Sequence, residues 1–492
     1  MNEEQIRLED YINLAQRHRQ ENHKFAAGLS RKVQIPGWHI YGELQLNLEL
    51  SAPSDLKAAQ EYIHIIQVYA SLAYQSGLEL GCSVLEVQGE RIHLFLPSLL
   101  DENVDDVYAI CCQISDGVYS TMSSLTDGKW QGFKMAADHG KTVLIPNIDI
   151  DDSFLSLSVA ANDPAKVLPN TGAGELSLKS KYSLTGTTTP TSQKWITYKL
   201  KDRPQNLDGL IKNSKHKTAS DWASPYSEQM QQEPEVFVNN IRSVEDDWVP
   251  STTENFIVQG ICLRSDLDGF TSKVKSAFEN DQVDELTDLF YQIMGYAKDF
   301  SSNLQTGKSV QLPWAGDCAS FVIFPTDADK YQTFTFNAPA KFPAKWHDVM
   351  DLDLENGEKW SARLDGLSWA VGAAGGPSQN EGFGSLIISH ISCGERVFRV
   401  VSGWGAKSSS KALDSGEVKG GDTVISRPDH AELSDYLKPL FTDHKPQFKI
   451  SKEQLSSGVI ATAATTEGIT SPSIPIPGTT ASIASRPHYE TS

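Results

Sequence analysis

From Phe256 the chain begins a pattern that it has already run once, and this repetition narrows the available folds more than any other feature. In the first half, a β-like run over residues 38–50 is followed by a helical stretch over 55–77. There Leu56, Tyr62, Ile65, Ile66 and Tyr69 recur at helical spacing. Residues 84–87 and 91–96, separated by Gln88-Gly89-Glu90, read as a hairpin. A second helix over 104–121 precedes strand-like 133–137, 142–145 and 153–158, with Asp138-His139-Gly140 as a turn. The second half runs a strand over 256–263, a helix over 284–300 and a hairpin around Gly316-Asp317 that returns over 321–324. A helix over 343–354 and strands over 367–371, 385–391 and 397–401 complete it. One α+β unit used twice is the economical reading.

The repeat also divides the chain. Its 492 residues exceed one ordinary core. Residues 1–35 read as a polar N-terminal helix with Ile6, Tyr11, Leu14 and Phe25 as sparse apolar points. The first unit is expected over 36–170 and the second over 253–455. Between them, 171–252 is rich in Ser, Thr, Asn, Gln, Lys and Pro and reads as a polar linker or insertion. The tail, 456–492, reads as disordered. A net charge of −20, from 63 acidic and 43 basic residues, argues against general binding to nucleic acid or to anionic membrane. No apolar run is long enough to span a bilayer, and the start is too polar for a signal peptide. Six cysteines without a CxxC pair point to a reduced, cytoplasmic protein.

Chemistry concentrates in two segments of the second half. Cys262-Leu-Arg-Ser-Asp266-Leu-Asp268-Gly-Phe-Thr271 is answered about fifty positions later by Trp314-Ala-Gly-Asp317-Cys-Ala-Ser-Phe321. Each is an apolar run ending in a carboxylate beside a glycine, as at the rim of a sheet. Two such carboxylates brought together would make an oxygen site for Mg²⁺ or Mn²⁺ with substrate phosphates completing the shell. Taken singly, each Asp-Gly pair is equally a solvated turn, and Asp268 reads that way. Gly416-Glu-Val-Lys-Gly-Gly-Asp422 lacks the GxxxxGK[ST] pattern and reads as a linker.

The Asp266-Leu-Asp-Gly-Phe-Thr271 and Gly316-Asp317 motifs resemble those of the class III nucleotidyl cyclase family. The resemblance implies ferredoxin-like βαββαβ domains packed head to tail. It implies two ions, Mn²⁺ or Mg²⁺, held by Asp266, Asp317 and the Leu267 carbonyl, with Phe270 and Thr271 cradling the phosphates. The partner domain of such a pair supplies an Asn and a basic residue four positions on, which Asn162 and Lys166 match, with Lys in place of Arg. The first copy is degenerate: Leu48 stands at its first metal position and Glu90 at its hairpin. The second copy has Lys407 and Lys411 where Asn and Arg would be. One site therefore remains, divided between the copies.

The resemblance further implies cyclisation of a nucleoside triphosphate with release of pyrophosphate. The positions that read a purine hold Glu86 and Leu155 in the first half, and Pro313 and Val400 in the second. That pattern looks like the bacterial anti-phage pyrimidine cyclases of Pycsar systems, which signal through a separate cyclic-nucleotide-activated effector. CTP and UTP both stay open as substrates, as does a homodimer; Glu86 would accept a hydrogen bond from the base. The alternatives are an adenylate or guanylate cyclase with atypical base contacts, and a catalytically silent nucleotide-sensing scaffold.

Overall fold

The computed structural model describes residues 34–47, 55–97, 104–125, 128–147, 150–182, 194–200, 219–241, 253–302, 308–324, 331–350, 368–374, 386–413, 418–444 and 447–466, with a few isolated positions. The expected N-terminal helix falls almost wholly outside these residues, as does Leu48. In chain order the first half contains β1 (Gln34–Leu46), α1 (Leu56–Glu79), β2 (Ser83–Gln88), β3 (Arg91–Pro97), α2 (Val104–Met122), β4 (Trp130–Pro146), β5 (Phe154–Leu157), α3 (Val159–Val167), β6 (Glu175–Lys179) and β7 (Trp195–Lys199). Helix α4 (Ala219–Gln231) and strand β8 (Val238–Ile241) lead into the second half. There follow β9 (Asn255–Val258), β10 (Ile261–Leu267), α5 (Phe270–Glu279), α6 (Val283–Ser302), β11 (Lys308–Gln311), β12 (Ala319–Phe324), α7 (Tyr331–Met350) and β13 (Trp369–Ala374). The chain continues through β14 (Leu386–Cys393), β15 (Arg396–Ser402), α8 (Trp404–Leu413), β16 (Asp422–Ile425), α9 (Arg427–Glu432), β17 (Thr442–His444), β18 (Gln447–Ser451) and α10 (Lys452–Thr466).

The period-two alternation of β1 explains its place at the middle of its sheet. Trp38, Ile40 and Leu44 enter the core under α1 and α2, while His39, Tyr41 and Glu43 point to the other face. The sheet runs β2-β3-β1-β4-β6-β7, with β5 also paired to β4. A second sheet runs β11-β12-β10-β13-β16-β18-β17, and a third, smaller one β15-β14-β9-β8. In both larger sheets an edge hairpin adjoins the unit's first long strand, a further antiparallel strand follows, and then a parallel one.

Two stretches differ from the sequence reading. Asp138-His139-Gly140 is no turn: β4 runs unbroken through it because His39, Trp38 and Gly37 of β1 continue the ladder opposite. Within 171–252, β6 and β7 extend the first sheet, and α4 packs on α1 and α2. Leu176 and Leu178 are buried in the first core, and their alternation with polar neighbours is that of a half-buried strand. Of the tail expected from 456, residues through Thr466 continue α10, and the rest lies outside the described residues.

The halves exchange arms. Val143, Ile145, Leu155 and Leu157, from the end of β4 and from β5, belong to the core of the second half. Ile387, Ile391, Phe398 and Val400, from β14 and β15, belong to the core of the first. Polar contacts follow the same route: the Asp152 carboxylate accepts from Val397 N at 2.8 Å and the Asp151 carboxylate from Arg399 N at 2.9 Å. The side-chain oxygen of Asn147 accepts from Trp314 N at 3.2 Å.

Candidate functional site

Strand β10 carries Asp266 past the end of its ladder with β12, which stops at Ser265, while β13 still pairs it through Ala370. The chain then turns at Gly269, whose φ of +79° only glycine adopts without strain, and enters α5 at Phe270. Thr271 thus lies in the first turn of α5, where backbone N–H groups have no intrahelical partner. The Phe270 side chain is in the core against Phe290, ring centroids 4.8 Å apart, which leaves only its backbone for the cleft.

Asp317 arrives from the β11–β12 connection. Ala315 and Cys318 exchange backbone hydrogen bonds there, and Gly316 has φ of +62°. A Cβ on Gly316 would lie 3.3 Å from Asn162 Oδ1, so the turn packs directly on the helix from the other half. Burial, followed by the charge of Asp266, raises the Asp317 carboxyl well above the usual carboxylate range. Backbone hydrogen bonds at Asp317 and Leu267, and the charge of Lys166, act in the opposite direction. Cys318, beside them, is pushed up to about 12 by burial and by Asp266.

Helix α3 presents the complementary groups. Ser158 caps it, accepting from Ala160 N at 3.1 Å and donating to Lys141 O at 2.8 Å. Asn162 and Lys166, four residues apart, share one face. Asn162 Nδ2 donates to Thr271 Oγ1 at 3.3 Å and Lys166 Nζ to the same oxygen at 3.1 Å. The structure therefore brings Asn162, Lys166, Asp266, Leu267, Thr271 and Asp317 to one seam between the halves.

Glu86 is buried in β2 and makes none of the contacts given for that group. Its carboxyl accepts from Gln88 Nε2 and is pushed up to about 8 by burial, with Asp151 reinforcing the shift and Arg91 and Arg264 opposing it. Lys407 pairs with Glu90 at 3.3 Å. Sequence reasoning passed over Lys179 and Asp163 and read Asp138 as a turn residue; Lys179 pairs with both aspartates. Asp163, directly after Asn162, was the available signal.

The expected pair of manganese or magnesium ions is not supported. Among the described residues no group of three or more His, Cys, Asp or Glu side chains is placed to hold a metal ion. Among the described residues Asp266 and Asp317 have no third acid placed with them to hold an ion. Asp268, the nearest in sequence, accepts from Gly420 N at 3.4 Å. The positive charge acting on Asp317 comes from Lys166.

No family model matches the sequence, and no curated protein does. Solved structures do resemble it. A class III adenylyl cyclase-like ATP-binding protein from Pseudomonas aeruginosa superposes over 87% of this chain and 90% of its own, with a TM-score of 0.65 at 13% identity. The adenylyl cyclase CyaB from P. aeruginosa covers 35% of this chain and 97% of its own (TM-score 0.27, 10% identity). The guanylyl cyclase Cya2 covers 34% and 90% (TM-score 0.26, 13% identity). The chain has an α+β fold similar to that of the class III adenylyl cyclase-like protein. Among the described residues no helix is long and apolar enough to cross a membrane.

Proposed function

We propose that this chain is a nucleotide-binding protein of the class III cyclase fold, which holds a nucleoside triphosphate at the seam between its halves and does not turn it over. The observation that carries this is the convergence of Asn162 and Lys166 on Thr271 at the start of α5. A helix N-terminus offers free N–H groups and the positive end of its dipole to a phosphate, and a lysine adds a point charge. Lys166 also offsets the charge of Asp317, which would otherwise repel a phosphate. The ATP-binding neighbour from P. aeruginosa, alike over most of both chains, supports the same reading.

On this reading residues 36–170 and 253–455 are two copies of one cyclase-like unit, which their common strand order supports. Lys407, the counterpart of Asn162, pairs at 3.3 Å with Glu90, the counterpart of Asp317, so one nucleotide per chain is expected.

Calorimetric titration with ATP, GTP, CTP and UTP in EDTA, followed by mass spectrometry of incubations with and without Mn²⁺, tests this. One nucleotide should bind per chain, no cyclic product should form, and Lys166→Ala should weaken binding about tenfold or more, the loss of one charge-assisted contact. Cyclic CMP or cyclic UMP would instead establish the anti-phage pyrimidine cyclase expected from the motifs. Cyclic AMP or GMP would establish a purine cyclase. Absence of binding by all four would reject the nucleotide reading.

A further inference from the structure

We propose that a buried ion chain, Asp138–Lys179–Asp163, is the positioning device that sets the Asn162–Lys166 face of α3 toward Thr271. The inference rests on the nucleotide reading for its consequence and on geometry for its existence. Lys179 ends β6, which lies parallel to β4 with Ala137 opposite Leu178, so Lys179 comes beside Asp138. Its ammonium pairs with Asp138 on one side and with Asp163 Oδ2 at 2.7 Å on the other. The three side chains are only 1%, 17% and 16% exposed for Asp138, Lys179 and Asp163, so the pairs are shielded from competing water.

Asp138 is further held by Tyr182 Oη, which donates to it at 3.2 Å, and by its neighbour's backbone N–H (His139) at 2.9 Å. The sheet end of the chain is therefore fixed, and Asp163 is the end that docks. Asp163 follows Asn162 and precedes Lys166 by three positions. Pinning its side chain to the sheet fixes the rotation of α3 about its axis, and with it the direction of the neighbouring face. The ends of the helix have their own anchors: Ser158 on Lys141 O at 2.8 Å, and Thr171 Oγ1 against Ser177 Oγ of β6 at 2.8 Å. These hold α3 on the sheet whether or not its rotation is set. A buried ion pair is weak evidence for stability, and specifying one arrangement is its better-attested use.

Two measurements on the full chain test the proposal. The first is hydrogen exchange across α3 in Asp163→Asn and Lys179→Met, with Lys179→Arg as the charge-retaining control. The neutral variants should exchange about tenfold faster within α3, and Lys179→Arg should stay near wild type. Unchanged exchange in both neutral variants would overturn the proposal even if no nucleotide binds.

The second is a double-mutant cycle on triphosphate affinity between Asp163→Asn and Lys166→Ala. Asp163→Asn alone should weaken binding about tenfold, and in the Lys166→Ala background it should change affinity by less than about threefold, because it acts through that face. Fully additive losses would overturn the positioning role while leaving the nucleotide site standing. Binding of no triphosphate by the wild type would reject the site itself, with the exchange result still deciding whether the chain positions the helix.

Discussion

Glu86 sits where the register of β2 against β3 shifts between Val84 and Glu86, and this irregularity turns its carboxyl into a buried environment. Burial raises it to about 8 in the folded chain. Between the ordinary carboxylate value and pH 8 the folded state then binds more protons at this position than the unfolded state. Its contribution to stability therefore falls as pH rises through that window. Glu86→Gln should remove that slope, so the stability difference between variant and wild type should grow by a few kcal/mol, on the order expected from the shift, from pH 5 to pH 8. Urea melts at several pH values measure it, and parallel curves would disprove the burial account. His93 works in the opposite sense, pushed down to about 3 by burial and by Arg91. Below pH 6.5 the unfolded state takes the proton first, so stability falls as the solution is acidified. His93 also meets His39 at 2.9 Å and stacks on Tyr41, with ring centroids 4.0 Å apart.

Among the elements, the β14–β15 arm packs into the core of the other half. Phe398 is fully buried in the core of the first half, although it belongs to the second half of the sequence. Phe398→Ala should cost about 3–5 kcal/mol through lost burial and the cavity left behind. Amide exchange should accelerate in α1, across which β14 packs, more than in α6. Equal acceleration in both helices would argue against arm exchange. What the sequence disclosed about the elements follows their physics. Asp266 and Asp317 could be placed because glycines mark the turns that deliver them, and Asn162 and Lys166 because the resemblance to the cyclase family implies an Asn and a basic residue four positions on. Strand β6 escaped notice because Ser177 and Lys179 mask a short apolar alternation, and a half-exposed strand needs little more. The unbroken course of β4 through Asp138-His139-Gly140 was hidden because only pairing with β1 decides it. The two-ion expectation failed because spacing reveals where carboxylates meet, while the number of acidic side chains that gather there is a tertiary fact.

For the molecule as a whole, the exchange of arms makes the two halves mutually dependent. Residues 34–241 and 253–466, produced separately, should each lack part of their own core and show no cooperative melt, while co-expression should restore one transition. Circular dichroism on the purified pieces decides it, and a cooperative melt of either half alone would contradict the packing described. The seam that receives Thr271, Lys166 and Asp317 would be restored with the transition, so a bound triphosphate should raise the melting temperature of the full chain by mass action.

That dependence has a temporal side. A ribosome releases the β1–β7 sheet well before it has made β14 and β15, which lie roughly 200 residues further along. At about 5–20 residues per second, the nascent first half waits on the order of 10–40 s with the apolar face of α1 incompletely covered. The order of synthesis thus leaves a hydrophobic gap open on each new molecule, one that closes only when Phe398 and its neighbours arrive.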